Sequence, residues 1–188
     1  MTPAGLNEKL FWMVNSHYST SADVLMAAFT YSGFSIPAIV IALVAMYFYK
    51  GLVARNVLLL AVSLVVAGVA LHGLKAVYGA DRPLAYFAKK TPPQDELVHA
   101  PFERHKASSF PSGHTQTAFS VATFLVLTFR RHKLAWFLWA ALVGVSRVYL
   151  GVHFPVDVAG GALTGGAATL LIVKMAMVRR PPASGKGL

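Results

Sequence analysis

The chain has 188 residues, 56% of them hydrophobic and 13% charged, with a formal net charge of +10 and no cysteine. It is too apolar for an ordinary water-soluble domain and fits one compact membrane bundle, read as a single domain over 1–188 with its core at about 23–178. Disulfides and thiolate metal sites are excluded, and the charge lacks the basic helix or aromatic–basic pattern that would argue for nucleic acid.

Residues Met1 to Leu10 lack the basic stretch and long apolar core of a cleavable signal, so insertion is expected to use the spans themselves. Leu6, Leu10, Met13 and Val14 recur at helical spacing, with Glu8, Lys9 and Asn15 on other faces and Trp12 as an interfacial anchor. This pattern predicts a short helix lying on the membrane surface. Asp23 to Tyr49 is one long apolar segment punctuated by Ser32-Gly33 and Pro37, which predicts a span with a kinked or broken approach.

Asn56 to Tyr78 is a second span of the length a bilayer core of about 30 Å requires. Ala80 to Pro111 is polar and proline-broken and reads as an extramembrane loop, long enough in so small a bundle to be functional or mobile. Gly113–Phe129, Leu134–Leu150 and Val156–Val178 complete about five transmembrane helices in an all-α polytopic bundle. Trp136 and Trp139 stand where an aromatic belt would. Ala159, Gly160, Gly161, Ala162, Gly165 and Gly166 give the last span a small-residue face for close helix packing.

Five spans sort the loops onto two faces. Lys50, Arg55, Arg130, Arg131, Lys133, Lys174, Arg179, Arg180 and Lys186 fall on one, without an acid, and all the Asp and Glu residues fall on the other. The positive-inside rule makes the first face cytoplasmic, together with the C-terminus, and puts the long loop outside. On that outer rim meet Lys75 to Pro83, Pro111 to His114, and Arg147 to Asp157.

Charge buried so deep in an apolar chain is costly and marks a functional site. Lys75, Arg82 and Arg147 supply fixed cations, while Ser112, Gly113 and the first amides of the third span supply a helix N-terminus. Together they define an oxyanion site, most simply for phosphate. His114, His153 and Asp157 are also conceivable metal ligands, but three neighbouring cations oppose a divalent ion. Imidazole can attack phosphorus and hold the phosphoryl group. Pro155 suits the first turn of the last span, which leaves His153 just before that helix and Asp157 within its first turn. Asp157 would then fix the tautomer of His153, and the second histidine would protonate the leaving oxygen.

Lys75, Arg82-Pro83, then Pro111-Ser112-Gly113-His114, then Ser146-Arg147, His153 and Asp157 together resemble the three-part signature of the type 2 phosphatidic acid phosphatase superfamily. The resemblance implies a metal-independent phosphatase without a cofactor, with a helical core shared with vanadium haloperoxidases and glucose-6-phosphatase. It implies His153 as the nucleophile that forms a phosphohistidine, Asp157 as its orienter and His114 as the general acid. Lys75, Arg82, Ser112, Gly113 and Arg147 would bind the phosphate.

A water-facing phosphate site at the rim of a lipid-embedded bundle suits a lipid phosphate or diphosphate. Size and orientation resemble bacterial undecaprenyl-diphosphate phosphatases of the inner membrane, so undecaprenyl diphosphate is the leading substrate expected. Phosphatidylglycerol phosphate, phosphatidic acid and lipid A 1-phosphate share the motifs, and a lipid phosphotransferase could use the same chemistry. His72, one turn before Lys75, reads as a packing residue that could line the site. Asp81, Lys89, Lys90, Arg104 and Lys106 read as solvated loop charges, the cations among them suited to attracting an anionic headgroup. His17, His99, His105 and His132 carry no signal.

Overall fold

The computed structural model describes residues 3–104 and 107–178; His105, Lys106, Arg179, Arg180 and Lys186 lie outside them. Eight α-helices follow in order among the described residues: α1 (Pro3–Asn15), α2 (Thr20–Ser32), α3 (Ser35–Phe48), α4 (Ala54–Tyr78), α5 (Pro83–Ala88), α6 (Gly113–Phe129), α7 (Lys133–Tyr149) and α8 (Pro155–Val178). A single 3-10 turn, Asp95–Leu97, lies between α5 and α6. The expected extramembrane loop thus contains a short helix, started by Pro83 in its first turn, where a missing N–H costs nothing.

Helices stand at all five expected span segments. By length and composition, Ala54–Ala88 and Pro155–Val178 can each cross a membrane, and α2 with α3 forms a third candidate bent by 74° at its break. The break falls at Gly33 and Phe34, and Pro37 lies in the first turn of α3, where a proline is tolerated. Val65 and Val69 on α4, Ile36 on α3 and Leu163 and Leu171 on α8 are exposed, an apolar surface suited to lipid.

Helix α6 is the centre of the bundle and is buried along most of Thr115 to Leu125, against α8, α7, α4 and α3. Its contact with α8 is at backbone distance. A Cβ on Gly161 would run into the Ser112 carbonyl oxygen, and one on Gly165 into that of Gln116. The small-residue face therefore packs as expected, and only glycine fits at these two crossings. Polar groups in this dry contact find partners: Gln116 Nε2 donates to Ser120 Oγ at 3.2 Å, and the Ser120 hydroxyl donates to the Gly165 carbonyl at 3.3 Å.

The two ends of the bundle differ in charge and in packing. At one end the α3–α4 and α6–α7 links meet through Tyr49, which packs on Phe129 and His132 and lies 5.9 Å from the Arg131 guanidinium. Arg55 reaches the Ala176 carbonyl of α8 at the same end. Trp136 and Trp139, expected in an aromatic belt, instead tie helices together: their indole N–H groups donate to the Tyr49 hydroxyl and to Ser32 Oγ.

At the other end α1 is docked as well as peripheral. Phe11 is fully buried among Phe87, Phe154 and Val148. Asn15, expected on a polar face, is completely buried instead; its amide donates to the Tyr149 carbonyl at 2.8 Å and the His99 carbonyl at 2.9 Å, and its oxygen accepts from the His99 N–H. Helical spacing cannot reveal a polar side chain whose partners lie more than eighty residues away. His99, without a sequence signal, closes the same junction through Asp23 at 2.7 Å and a stacked Tyr18.

Candidate active site

Three turns deliver the site. Gly151, at φ 69°, lets the chain reverse after α7, a left-handed turn for which glycine carries no Cβ penalty. The Val152 and His153 amides then both donate to the Arg147 carbonyl, which sets His153 back beneath the end of α7. Pro155 starts α8, so Asp157 falls in its first turn, and the Asp157 carboxylate caps the Phe154 amide at 2.8 Å. The Ser112 amide donates to the Asp157 carbonyl at 2.9 Å, so the start of α6 is bonded to the start of α8.

His153 and Asp157 face each other, with Nδ1 3.4 Å from Oδ2, and both are 2% exposed. Burial pushes the His153 imidazole down to about 4; hydrogen bonding to Asp157 opposes this, while Arg82 and Arg147 add to it. At neutral pH the ring is therefore uncharged and carries a free lone pair. With Nδ1 turned toward Asp157, Nε2 is the nitrogen left to react.

The three expected cations converge. Arg147 is 1% exposed and holds Glu103 through two hydrogen bonds, 2.9 Å and 3.3 Å. Arg82 donates to the Ala107 carbonyl at 3.0 Å and the Val152 carbonyl at 3.4 Å, and Lys75 donates to the Ser108 carbonyl at 2.5 Å. Arg82 feels the charges of Arg147, Glu103 and Asp157, and Lys75 those of Arg82 and Asp157. All three cations thus take oxygen acceptors from the stretch between Glu103 and Ser108.

His114 opens α6 with its ring edge-on to Phe34, within the fields of Arg147, Glu103, His153 and Arg82. Two buried nitrogens of the site, His114 Nε2 and Arg147 Nε, have no hydrogen-bond partner among the described residues. Buried polar atoms are normally paired, so these two call for an incoming acceptor. Ser112 is fully buried, its hydroxyl oxygen accepting from the Thr115 hydroxyl, while Gly113 leaves the first turn of α6 open, with space around its Cα.

Beside His114 a cavity of about 340 Å³ runs between the α2–α3 break and α4, walled by Phe34, Ile39, Leu64 and Leu71 with His72 at its edge. His72 therefore lines a space next to the site. Asp81 pairs with Lys89 on the surface, and Lys90 pairs with Glu8 at 3.0 Å. Two neighbours of the site were not foreseen from the sequence: Glu103, against Arg147, and Ser109, whose hydroxyl donates to Asp157 Oδ2 at 2.5 Å. For Ser109 the available signal was the pair Ser108-Ser109, separated from Pro111 by Phe110.

A helical membrane bundle that gathers fixed cations, a helix N-terminus and two histidines at one rim defines a class of anion-handling membrane proteins. The match is specific: residues 56–181 fit the PAP2 superfamily, and the chain belongs to that family. It is similar to the undecaprenyl-diphosphatase BcrC of Bacillus subtilis, 28% identical over 94% of this chain and 87% of that protein. The crystal structure of Aquifex aeolicus LpxE matches with a TM-score of 0.76 and 31% identity, over 90% of this chain and 95% of that one. The crystal structure of a transmembrane PAP2-type phosphatidylglycerolphosphate phosphatase from Bacillus subtilis matches with a TM-score of 0.71 and 26% identity, over 95% and 89%. Among the other curated relatives, phosphatidylglycerophosphatase B of Bacillus subtilis is 37% identical over 71% of this chain and 64% of that protein, and six more are matched over 25–40% of their own length.

Proposed function

We propose that the protein is an integral-membrane lipid phosphatase that removes phosphate from a lipid phosphate or diphosphate through a phosphohistidine on His153, with undecaprenyl diphosphate as its substrate. The observation that carries this reading is the pair of buried, unpartnered nitrogens, His114 Nε2 and Arg147 Nε, on residues whose fields reach each other, with Arg147 also acting on the buried, uncharged imidazole of His153. An anion with several oxygens satisfies both, and phosphorus at its centre gives His153 an electrophile.

In the first step His153 Nε2 attacks phosphorus, forming the N–P bond as the P–O bond to the lipid breaks. His114 gives its proton to the departing oxygen. Asp157 holds the Nδ1 proton and stabilises the positive ring that forms. Lys75, Arg82 and Arg147, with the Ser112 and Gly113 region, take the charge gathering on the equatorial oxygens. In the second step water, deprotonated by His114, attacks phosphorus and the N–P bond breaks, releasing phosphate and restoring His153.

Two further features support a lipid substrate at an outward-facing site. The apolar walls beside His114 offer a lipid chain a place next to the reacting centre. The end carrying Lys50, Arg55, Arg130, Arg131 and Lys133 is the opposite one, so the positive-inside rule puts the site on the outer face of a bacterial inner membrane. A curated relative matched over 94% of this chain is named for undecaprenyl diphosphate, which supports that substrate; a phosphatidylglycerolphosphate phosphatase covers as much of the chain, so that lipid is the first competitor to test.

The test is phosphate release by purified protein, without added metal and with chelator present, from those four lipids, with His153→Ala as control. Preferential release from the isoprenoid diphosphate, abolished in the control, is expected. Preference for another lipid overturns the substrate, and label from a radioactive diphosphate appearing in a second lipid in place of free phosphate overturns hydrolysis. A covalent phosphoryl-enzyme recovered from His153→Ala removes His153 as nucleophile.

A further inference from the structure

Ser109 lies outside the residues that meet the phosphate, yet it is completely buried and touches both members of the reacting pair. Its hydroxyl proton goes to Asp157 Oδ2 at 2.5 Å, and its oxygen lies 3.4 Å from His153 Nδ1. Its own backbone is anchored: the Ser109 amide donates to the Ala80 carbonyl at 2.9 Å, and the adjoining Ser108 carbonyl accepts from Lys75. One residue thus ties the α4–α5 link, the approach to α6 and the first turn of α8 to a single carboxylate oxygen.

Three donors converge on Oδ2: the Ser109 hydroxyl, the Phe154 amide and His153 Nδ1. The Phe154 amide belongs to the same turn as Asp157 and moves with it. Ser109 is the donor that comes from outside that turn. A carboxylate held only by its own turn is free to rotate about its Cα–Cβ and Cβ–Cγ bonds, and the imidazole that depends on it swings as well.

We propose that Ser109 is a positioning residue that fixes the Asp157 carboxylate, and through it aims His153 Nε2 at phosphorus. The inference rests on His153 being the nucleophile, as proposed above. Ser109 also draws electron density from Oδ2, so that Asp157 accepts the Nδ1 hydrogen bond without making the free ring basic enough to be protonated at working pH.

The charges facing His153 come from every neighbouring element: Asp157 from α8, Arg147 from α7, Arg82 ahead of α5 and His114 from α6. Glu103 acts on the site through Arg147, and Lys75 of α4 acts on Asp157. None of these charged residues is itself substituted in a Ser109→Ala protein. Loss of the hydroxyl leaves Oδ2 with more of its charge, which favours the protonated ring, so His153 is protonated at higher pH than in the wild type.

The experiment measures kcat, KM and the pH profile of kcat/KM for wild type, Ser109→Ala, Ser109→Thr and His153→Ala on undecaprenyl diphosphate and phosphatidic acid in detergent micelles. Inhibition by inorganic phosphate, a ground-state probe, and by orthovanadate, which can take a fifth bond from a ring nitrogen, is read in parallel. Loss of a partner that orients a reacting group costs about 10- to 100-fold. Ser109→Ala is expected to lose that much kcat with KM and phosphate inhibition within about twofold, to bind vanadate about tenfold more weakly, and to move its acid limb upward. Ser109→Thr, which keeps the hydroxyl, restores kcat and the limb.

An unchanged kcat and acid limb in Ser109→Ala overturns the proposal. So does a general loss in which the thermal midpoint falls and KM, phosphate inhibition and kcat worsen together while the acid limb stays in place, the pattern of a packing residue. If Ser109→Ala does not fold, a folded Ser109→Thr with a wild-type acid limb and vanadate affinity sustains the proposal, and one lacking both overturns it. Wild-type turnover in His153→Ala sinks the reading of the site itself and Ser109 with it, whereas a silent Ser109→Ala beside a dead His153→Ala sinks Ser109 alone.

Discussion

His153 titrates far from where a free histidine does, and the sign of the effect decides what acid should do. Burial holds its ionisation near 4, so the ring stays neutral, and able to attack, through the range where an exposed histidine would be charged. The acid limb of kcat/KM assigned to this residue is therefore expected near pH 4, and a limb near 6.5 would contradict a buried neutral nucleophile. The same shift acts on stability. The unfolded chain takes up this proton below about 6.5 and the folded one only near 4, so His153 favours the fold fully above 6.5 and progressively less as pH falls to 4. The difference is about 3 kcal/mol at its limit, readable as a falling thermal midpoint over that window.

Two other residues carry predictions of their own. Phosphate must take Arg147 over from Glu103, so Glu103→Gln should tighten inhibition by inorganic phosphate about three- to tenfold, the scale of one ordinary net hydrogen bond; weaker inhibition would make Glu103 a support for the site. His114→Ala should cost less on an isoprenoid diphosphate than on phosphatidic acid, because a phosphate leaving group needs less proton donation than an alkoxide. Equal losses on both would count against His114 as the acid. His153 and His114 were legible in the sequence, since each is an ionisable group in an apolar run and part of the three-part signature. Glu103 was not, because among the many charges of a solvated loop nothing in the sequence distinguishes the one that folds back onto a buried arginine.

Among the elements, α6 and α8 decide whether the site exists. Gly165→Leu would drive a side chain into the Gln116 carbonyl, a backbone atom that has nowhere to go, and should unfold the bundle or lower its thermal midpoint sharply, by the several kcal/mol that overpacking a tight core costs. A substitution tolerated there within a degree or two would mean that the helices separate freely. The small-residue stripe predicted this contact, whereas the role of α1 was hidden. Its apolar spacing announced a helix, but an amphipathic pattern looks the same whether it lies on lipid or on protein. Phe11 and Asn15 find their partners at Phe87, His99 and Tyr149, pairings set by the fold and not by local sequence.

For the whole molecule, the order of helices and loops was readable because burying backbone in lipid forces long apolar helices. The break between α2 and α3 was expected, while its 74° angle was not, since direction depends on what each half packs against. The proposed orientation rests on the positive-inside sorting of loop charges and has a direct measurement: a cysteine placed at Gln94 should react with an impermeant thiol reagent in intact cells. Labelling only after lysis would turn the molecule over and put the substrate on the cytoplasmic side.

The backbone-tight crossing of α6 and α8 has a mechanical consequence. His114 rides on one helix and Asp157 on the other, and the Ser112 amide bonds the two at their shared end. A bilayer varies in thickness and presses unevenly on whatever spans it. That stress meets exposed flanks such as Ile36 on α3 and Val65 and Val69 on α4, whereas α6 lies sheltered behind them. The distances that bond-making depends on are thus insulated from the fluid around them, and the reaction runs on a stiff frame inside a soft medium.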